Sequence, residues 1–123
     1  MIIETGVDAV EILRVAKSIQ RPGFLTRFFS EEERKYFEGK KNAPQTVAAH
    51  FAVKEAFSKA MGTGLSGFSL REVGVAHDHR GKPFLVLTGA AKELGEGWSF
   101  SLSITHTITT ATAFLVAWRD DDR

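Results

Sequence analysis

Two carboxylates and one lysine are the residues of this chain best suited, by type and spacing, to do chemistry. Asp8 falls where the β-prone stretch Ile2 to Val7 gives way to a helical pattern. Glu55 and Lys59 lie four apart in an alanine-rich helical segment, in line with Phe51 and beside the small Ala52 and Ala56. If Glu55 converges on Asp8, two hard oxygen donors plus substrate phosphates match how magnesium is held, with several waters retained. Each residue also has a plainer reading. Asp is a favoured N-cap and Glu11 three residues later completes a capping-box-like pattern, while Glu55 and Lys59 read equally well as a surface ion pair.

Three further features carry the same ambiguity. Gly62-Thr63-Gly64 follows the helix directly: glycines let a backbone approach phosphate, yet a helix C-terminus repels anions, so a cap and loop is the other reading. From Ile12 to Ser30 there is no acidic residue, and Arg14, Lys17 and Arg21 share one helix face, with Arg27 beyond. That face is either simply solvated or receives an anionic partner. An acidic protein surface suits it better than nucleic acid, because no aromatic platform interleaves the basic residues and the acidic segment Glu31 to Glu38 follows. His106 ends a strand, either as a turn residue or emerging at a sheet edge. His77 and His79 read as solvated turn residues without chemistry.

The elements that must position these residues are legible as punctuation. Strand Ile2 to Val7 leads into a helix that Arg21-Pro22-Gly23 stops by about Gln20. Ser30-Glu31-Glu32-Glu33 is a capping box opening a helix that ends near Gly39. Pro44 suits a first turn, and no breaker precedes Gly62, so the longest helix spans Pro44 to Met61. Glu72 to Ala76 and Pro83 to Thr88 flank a polar turn as one hairpin. The alternating segment around Phe100 to Ile104 and the apolar run Ala111 to Trp118 make another. The class is α+β, an antiparallel sheet packed against a long helix and shorter helices.

Composition bounds the rest. With 123 residues, 43% hydrophobic and 25% charged, the chain reads as a single domain over residues 1–123. Sixteen Lys and Arg against fifteen Asp and Glu exclude a surface that binds polyanions all over. No cysteine means no disulfide and no thiolate metal site. Neither a secretory signal nor a membrane-spanning run is visible, so no membrane partner is expected and the reading is cytoplasmic.

Taken in order, Gly6-Val7-Asp8-Ala9-Val10-Glu11-Ile12, the run Phe51 to Gly64, Gly81-Lys82-Pro83 and Ser101 to Thr107 resemble the holo-acyl-carrier-protein synthase family across nearly the whole chain. The resemblance implies a phosphopantetheinyl transferase, homotrimeric, with active sites between subunits. It implies magnesium-dependent transfer of the phosphopantetheine arm of coenzyme A to a serine of apo acyl carrier protein, releasing 3',5'-ADP, in fatty acid biosynthesis. Asp8 and Glu55 would then be metal ligands, and Glu55 and Lys59 the catalytic pair. Coenzyme A would meet Asp8, His50, Lys59, Gly62, Gly64, His106 and Thr107, and Arg14, Lys17 and Arg21 would dock the carrier protein. One departure stands out: the family has an arginine just before the Phe51 equivalent, contacting a coenzyme A phosphate, and here that position is His50. A non-catalytic module whose basic helix grips an acidic protein or nucleic acid is the alternative from another class.

Overall fold

Two ten-residue strands from opposite ends of the chain build the frame. In the computed structural model, which describes residues 1–121, β1 (Ile2–Glu11) pairs antiparallel with β5 (Thr110–Arg119) along its whole length. β4 (Ser99–His106) lies on the other edge of β5, giving the order β1-β5-β4. β2 (Val73–His77) and β3 (Pro83–Leu87) form a separate antiparallel pair, so the expected antiparallel strands divide into two sheets. The helices are α1 (Ile12–Ile19), α2 (Phe24–Phe28), α3 (Glu31–Gly39), α4 (Pro44–Met61) and α5 (Gly89–Leu94).

Helix α4 runs between its sequence signals, with Pro44 in the first turn and Gly62 at φ 72° as the left-handed cap. Its inward face is mostly small: Ala48, Ala49, Ala52, Ala56 and Ala60 are buried, and Ala113 and Ala117 of β5 are buried in the core it packs into. Small side chains let the backbones approach closely, most of all at Gly6, where an added Cβ would overlap the Ala56 carbonyl oxygen and lie 3.0 Å from the Ala60 nitrogen. Phe57 fills the remaining space, its ring 5.6 Å from those of Phe68 and Phe100. A second cluster, around Phe29 and Phe37, anchors α2 and α3 at the other end of α4.

Two expectations need correction. The first strand does not stop at Val7 but continues to Glu11, because β5 supplies a partner for every residue up to Thr110. Helix α1 therefore starts at Ile12. Helices α2 and α5 were not expected; each is five or six residues long, too short to show a period. On the sheet face turned away from α4, Ile3 and Val7 are more than half exposed in the single chain, at 59% and 53%, and Phe114 nearly so, at 46%.

Candidate active site

The extra length of β1 decides what Asp8 is. Residues Gly6, Asp8 and Val10 alternate toward α4 while Val7 and Ala9 turn outward. The residue at the N-cap of α1 is Glu11, with no side-chain cap hydrogen bond, so the capping reading of Asp8 is excluded. Across the interface, Lys59 does not pair with Glu55 along the helix. Its Nζ reaches back to β1 and donates to the Val7 carbonyl at 2.9 Å and to Asp8 Oδ1 at 3.1 Å. Lys59 and Asp8 thus meet across the interface between α4 and β1.

Asp8 and Glu55 line a cavity of about 410 Å³ together with Arg14, Ser18, Phe24 and Phe51. Glu55 is half-buried, and its carboxyl is pushed above the ordinary range by burial and then by the negative charge of Asp8, with Lys59 pulling the other way. The two like charges repel across the cavity, and Lys59 offsets only part of that repulsion. A larger cavity of about 510 Å³ lies between α3 and the β2–β3 pair, but its lining includes neither carboxylate nor Lys59.

Among the described residues no cluster of three or more His, Cys, Asp or Glu could hold a metal. Two carboxylates suffice for magnesium when phosphates and water complete its shell, whereas zinc takes three or four protein ligands. The donor set therefore fits a hard cation brought together with a phosphorylated substrate.

The other expected site residues are placed as follows. Gly62 and Gly64 sit at φ 72° and 60° just past the end of α4, and an added Cβ would meet nothing within 4 Å. Their glycine character answers to backbone conformation. The Gly62 amide closes the helix onto the Ser58 and Lys59 carbonyls, so the cap reading holds. His106 ends β4 and Thr107 follows it, both beside Ile12, Gln45 and Ile108 in a hollow separate from the Asp8 cavity. Arg14, Lys17 and Arg21 are exposed on α1 and just after it, and none makes an ion pair among the described residues.

His50 is the expectation that fails. It is wholly buried on the inward face of α4, with Nδ1 3.1 Å from Glu33 Oε2 and Nε2 3.1 Å from His77 Nε2, so it has no nitrogen left for a phosphate. One turn later, buried Lys54 donates to Glu33 Oε1 at 2.7 Å and to the Val73 and Leu70 carbonyls at 2.7 and 3.1 Å. Glu33 also accepts the Ser30 amide, so the capping-box residue is at once the hub joining α3, α4 and β2. His77 is correspondingly not a bare turn residue, since its ring stacks on Tyr36 at 4.1 Å. The signal available in the sequence was the His50-to-Lys54 spacing on an otherwise apolar helix face.

This network makes stability depend on pH. Burial pushes Glu33 up, but His50 and Lys54 more than reverse it and hold the carboxyl below its ordinary range; burial holds both His50 and Lys54 low despite Glu33. Because the folded state favours neutral His50, the unfolded chain binds more protons below about pH 6.5, and stability falls there with acidification. Glu33 adds a second loss below about pH 4.3. Thermal melts of His50→Gln should be flatter than the parent between about pH 6.5 and 5, since one titrating imidazole is gone while Glu33, Lys54, His77 and Tyr36 remain around it. An unchanged pH profile would contradict this.

The fold and cavity place the chain in a class of enzymes. It superposes on the ACPS–CoA complex of Chronobacterium ammoniagenes with a TM-score of 0.85 and 29% identity, covering 98% of this chain and 99% of that one. A holo-(acyl-carrier-protein) synthase from Bacillus anthracis, solved in complex with CoA (3',5'-ADP), matches with a TM-score of 0.81 and 33% identity over 95% and 96% of the two chains. These are transferase folds. In sequence, the holo-(acyl-carrier-protein) synthase of Treponema denticola is 46% identical over 121 residues, 94% of this chain and 98% of its own. The ACPS family model matches residues 4–116, and the chain belongs to the 4'-phosphopantetheinyl transferase superfamily. Among the described residues no helix is long and apolar enough to cross a membrane.

Proposed function

We propose that this chain moves the 4'-phosphopantetheine group of coenzyme A onto a serine of apo acyl carrier protein, releasing 3',5'-ADP, with magnesium, in fatty acid biosynthesis in the cytoplasm. The observation that carries the reading is that Asp8 and Glu55 line one cavity and Lys59 bonds to Asp8 beside it. Asp8 and Glu55 would hold the ion. When bound, magnesium supplies neutralising charge on the pyrophosphate. Lys59, at the exposed end of α4, is the cation of this chain placed to take negative charge on the departing phosphate. The serine oxygen bonds to phosphorus as the bond to 3',5'-ADP breaks. The serine also gives up its proton, which a carboxylate of the site or solvent receives. Such transfer leaves the protein mainly positioning and charge stabilisation to do.

The reading includes a homotrimer. His106 and Thr107, proposed to face coenzyme A, line a hollow that shares no residue with the Asp8 cavity of the same chain, so a neighbouring copy would bring the two halves together. The apolar sheet face with Ile3, Val7 and Phe114 gives such a neighbour a surface to cover. Gly62 and Gly64 would border the coenzyme at the end of α4.

Mixing the protein with apo carrier, coenzyme A and magnesium should raise the carrier's intact mass by one phosphopantetheine. No mass gain on a carrier that a known synthase modifies would end the proposal. Docking is assigned to Arg14, Lys17 and Arg21, with Arg14 also lining the cavity and so marking where the carrier's serine must enter. Lys17→Glu with Arg21→Glu should cut kcat/KM for the carrier about tenfold at low salt, with kcat at saturation kept and the parent's salt dependence flattened. An unaltered salt dependence would move docking elsewhere.

A further inference from the structure

Lys59 is bonded in a way that its place on α4 does not require. An exposed lysine near a helix end usually extends into water, yet this one folds back across the interface to Asp8 Oδ1 at 3.1 Å and the Val7 carbonyl at 2.9 Å. It bypasses Glu55, the acid four residues earlier on its own helix. Asp8 is the less exposed partner, its side chain 19% accessible against 55% for Lys59. One of the two carboxylates that face the cavity thus already has a cation of this chain as its partner.

We propose that Lys59 is an internal competitor for Asp8, so that coenzyme A and the divalent ion bind with positive coupling. This rests on the reading that Asp8 and Glu55 take the ion and Lys59 takes a phosphate. Without coenzyme A, the ammonium occupies Asp8 and weakens metal uptake. A phosphate arriving beside the end of α4 offers Lys59 a stronger acceptor than a partly exposed carboxylate, and Lys59 swings out and frees Asp8. Only the rotation of an exposed lysine side chain is needed, since its stem is not buried. The coupling is reciprocal, so the ion must tighten coenzyme A by the same factor. The device also keeps Asp8 and Glu55 from facing each other unscreened while the site is empty.

The size of the effect is set by the kind of pair. Partly exposed ion pairs contribute up to about 1 kcal/mol, which is roughly a fivefold change in affinity. Titration of the intact protein with Mn²⁺, followed by electron paramagnetic resonance without coenzyme A, reads it directly. Lys59→Met should bind Mn²⁺ about fivefold more tightly than the parent, and the tightening that coenzyme A produces should shrink by about the same factor. Lys59→Gln, which is polar and kinder to an exposed helix end, should behave alike. Arg14→Met is the control, because Arg14 lines the same cavity but has no ion pair with Asp8 among the described residues. It should shift Mn²⁺ affinity less than twofold.

Equal tightening by Arg14→Met and Lys59→Met would show a general field effect and overturn the proposal. Unchanged affinity in both Lys59 variants, with normal Mn²⁺ uptake by the parent, overturns it while leaving the metal ligands standing. No Mn²⁺ uptake by the parent even with coenzyme A would overturn both.

Discussion

Glu55→Gln should lower turnover about a thousandfold while leaving the metal-free protein at least as stable as the parent. The two halves of that expectation have one cause. Glutamine nearly keeps the size of the side chain but cannot offer a charged oxygen to a hard cation. The ionised Glu55 is meanwhile a burden on the empty fold, because burial and the charge of Asp8 both push its carboxyl up. A group with a raised carboxyl binds its proton more tightly when folded, so the neutral form favours folding. Glutamine imitates that neutral form. Steady-state turnover and thermal melts in chelator check both halves together, and a variant with full activity would clear Glu55 of its role.

Gly6→Ala should be the most damaging single-methyl change in the chain. The new Cβ would overlap the Ala56 carbonyl oxygen, a backbone atom inside a regular helix that cannot rotate aside. Either β1 retreats from α4 or the register with β5 gives, at a cost of about 1 to 3 kcal/mol. Asp8 is two residues further along the same face of the strand, and Glu55 adjoins Ala56, so the wedge opens between the two carboxylates. A displacement near 1 Å at a reacting centre costs about a hundredfold in rate, so turnover should fall more than the melting temperature alone explains. Gly62→Ala is the useful contrast: nothing lies within 4 Å of its Cβ, and its cost is conformational only. Parental stability and rate in Gly6→Ala would contradict the close-approach account.

What the chain disclosed in advance follows from which forces are local. The span of α4 was readable because Pro44 and Gly62 act on their own backbone, and the Ser30 capping box because its two bonds join residues three apart. The end of β1 was not, since pairing with a strand a hundred residues away outweighs the helical spacing of Val10 and its neighbours. Asp8, Glu55 and Lys59 were legible as types and spacings; that Lys59 answers to Asp8 and not to Glu55 depends on how α4 lies across β1. His50 went astray for the opposite reason. A family position suggested an exposed phosphate contact, while the packing of α3 and β2 around α4 closes that position off and gives it Glu33 and His77. Gly6 was visible in its motif, but only the alanines facing it explain why it must be glycine.

The central claim is that Asp8 and Glu55, from a strand and a helix far apart in sequence, serve one divalent ion. Crystals grown with coenzyme A and Mn²⁺, measured at the manganese absorption edge, test it with the fewest intermediate assumptions. The account predicts one anomalous peak about 2 Å from a carboxylate oxygen of each residue, with Lys59 Nζ moved off Asp8 onto a phosphate. A peak bonded to neither carboxylate, or the two side chains turned apart with manganese held elsewhere, would contradict it.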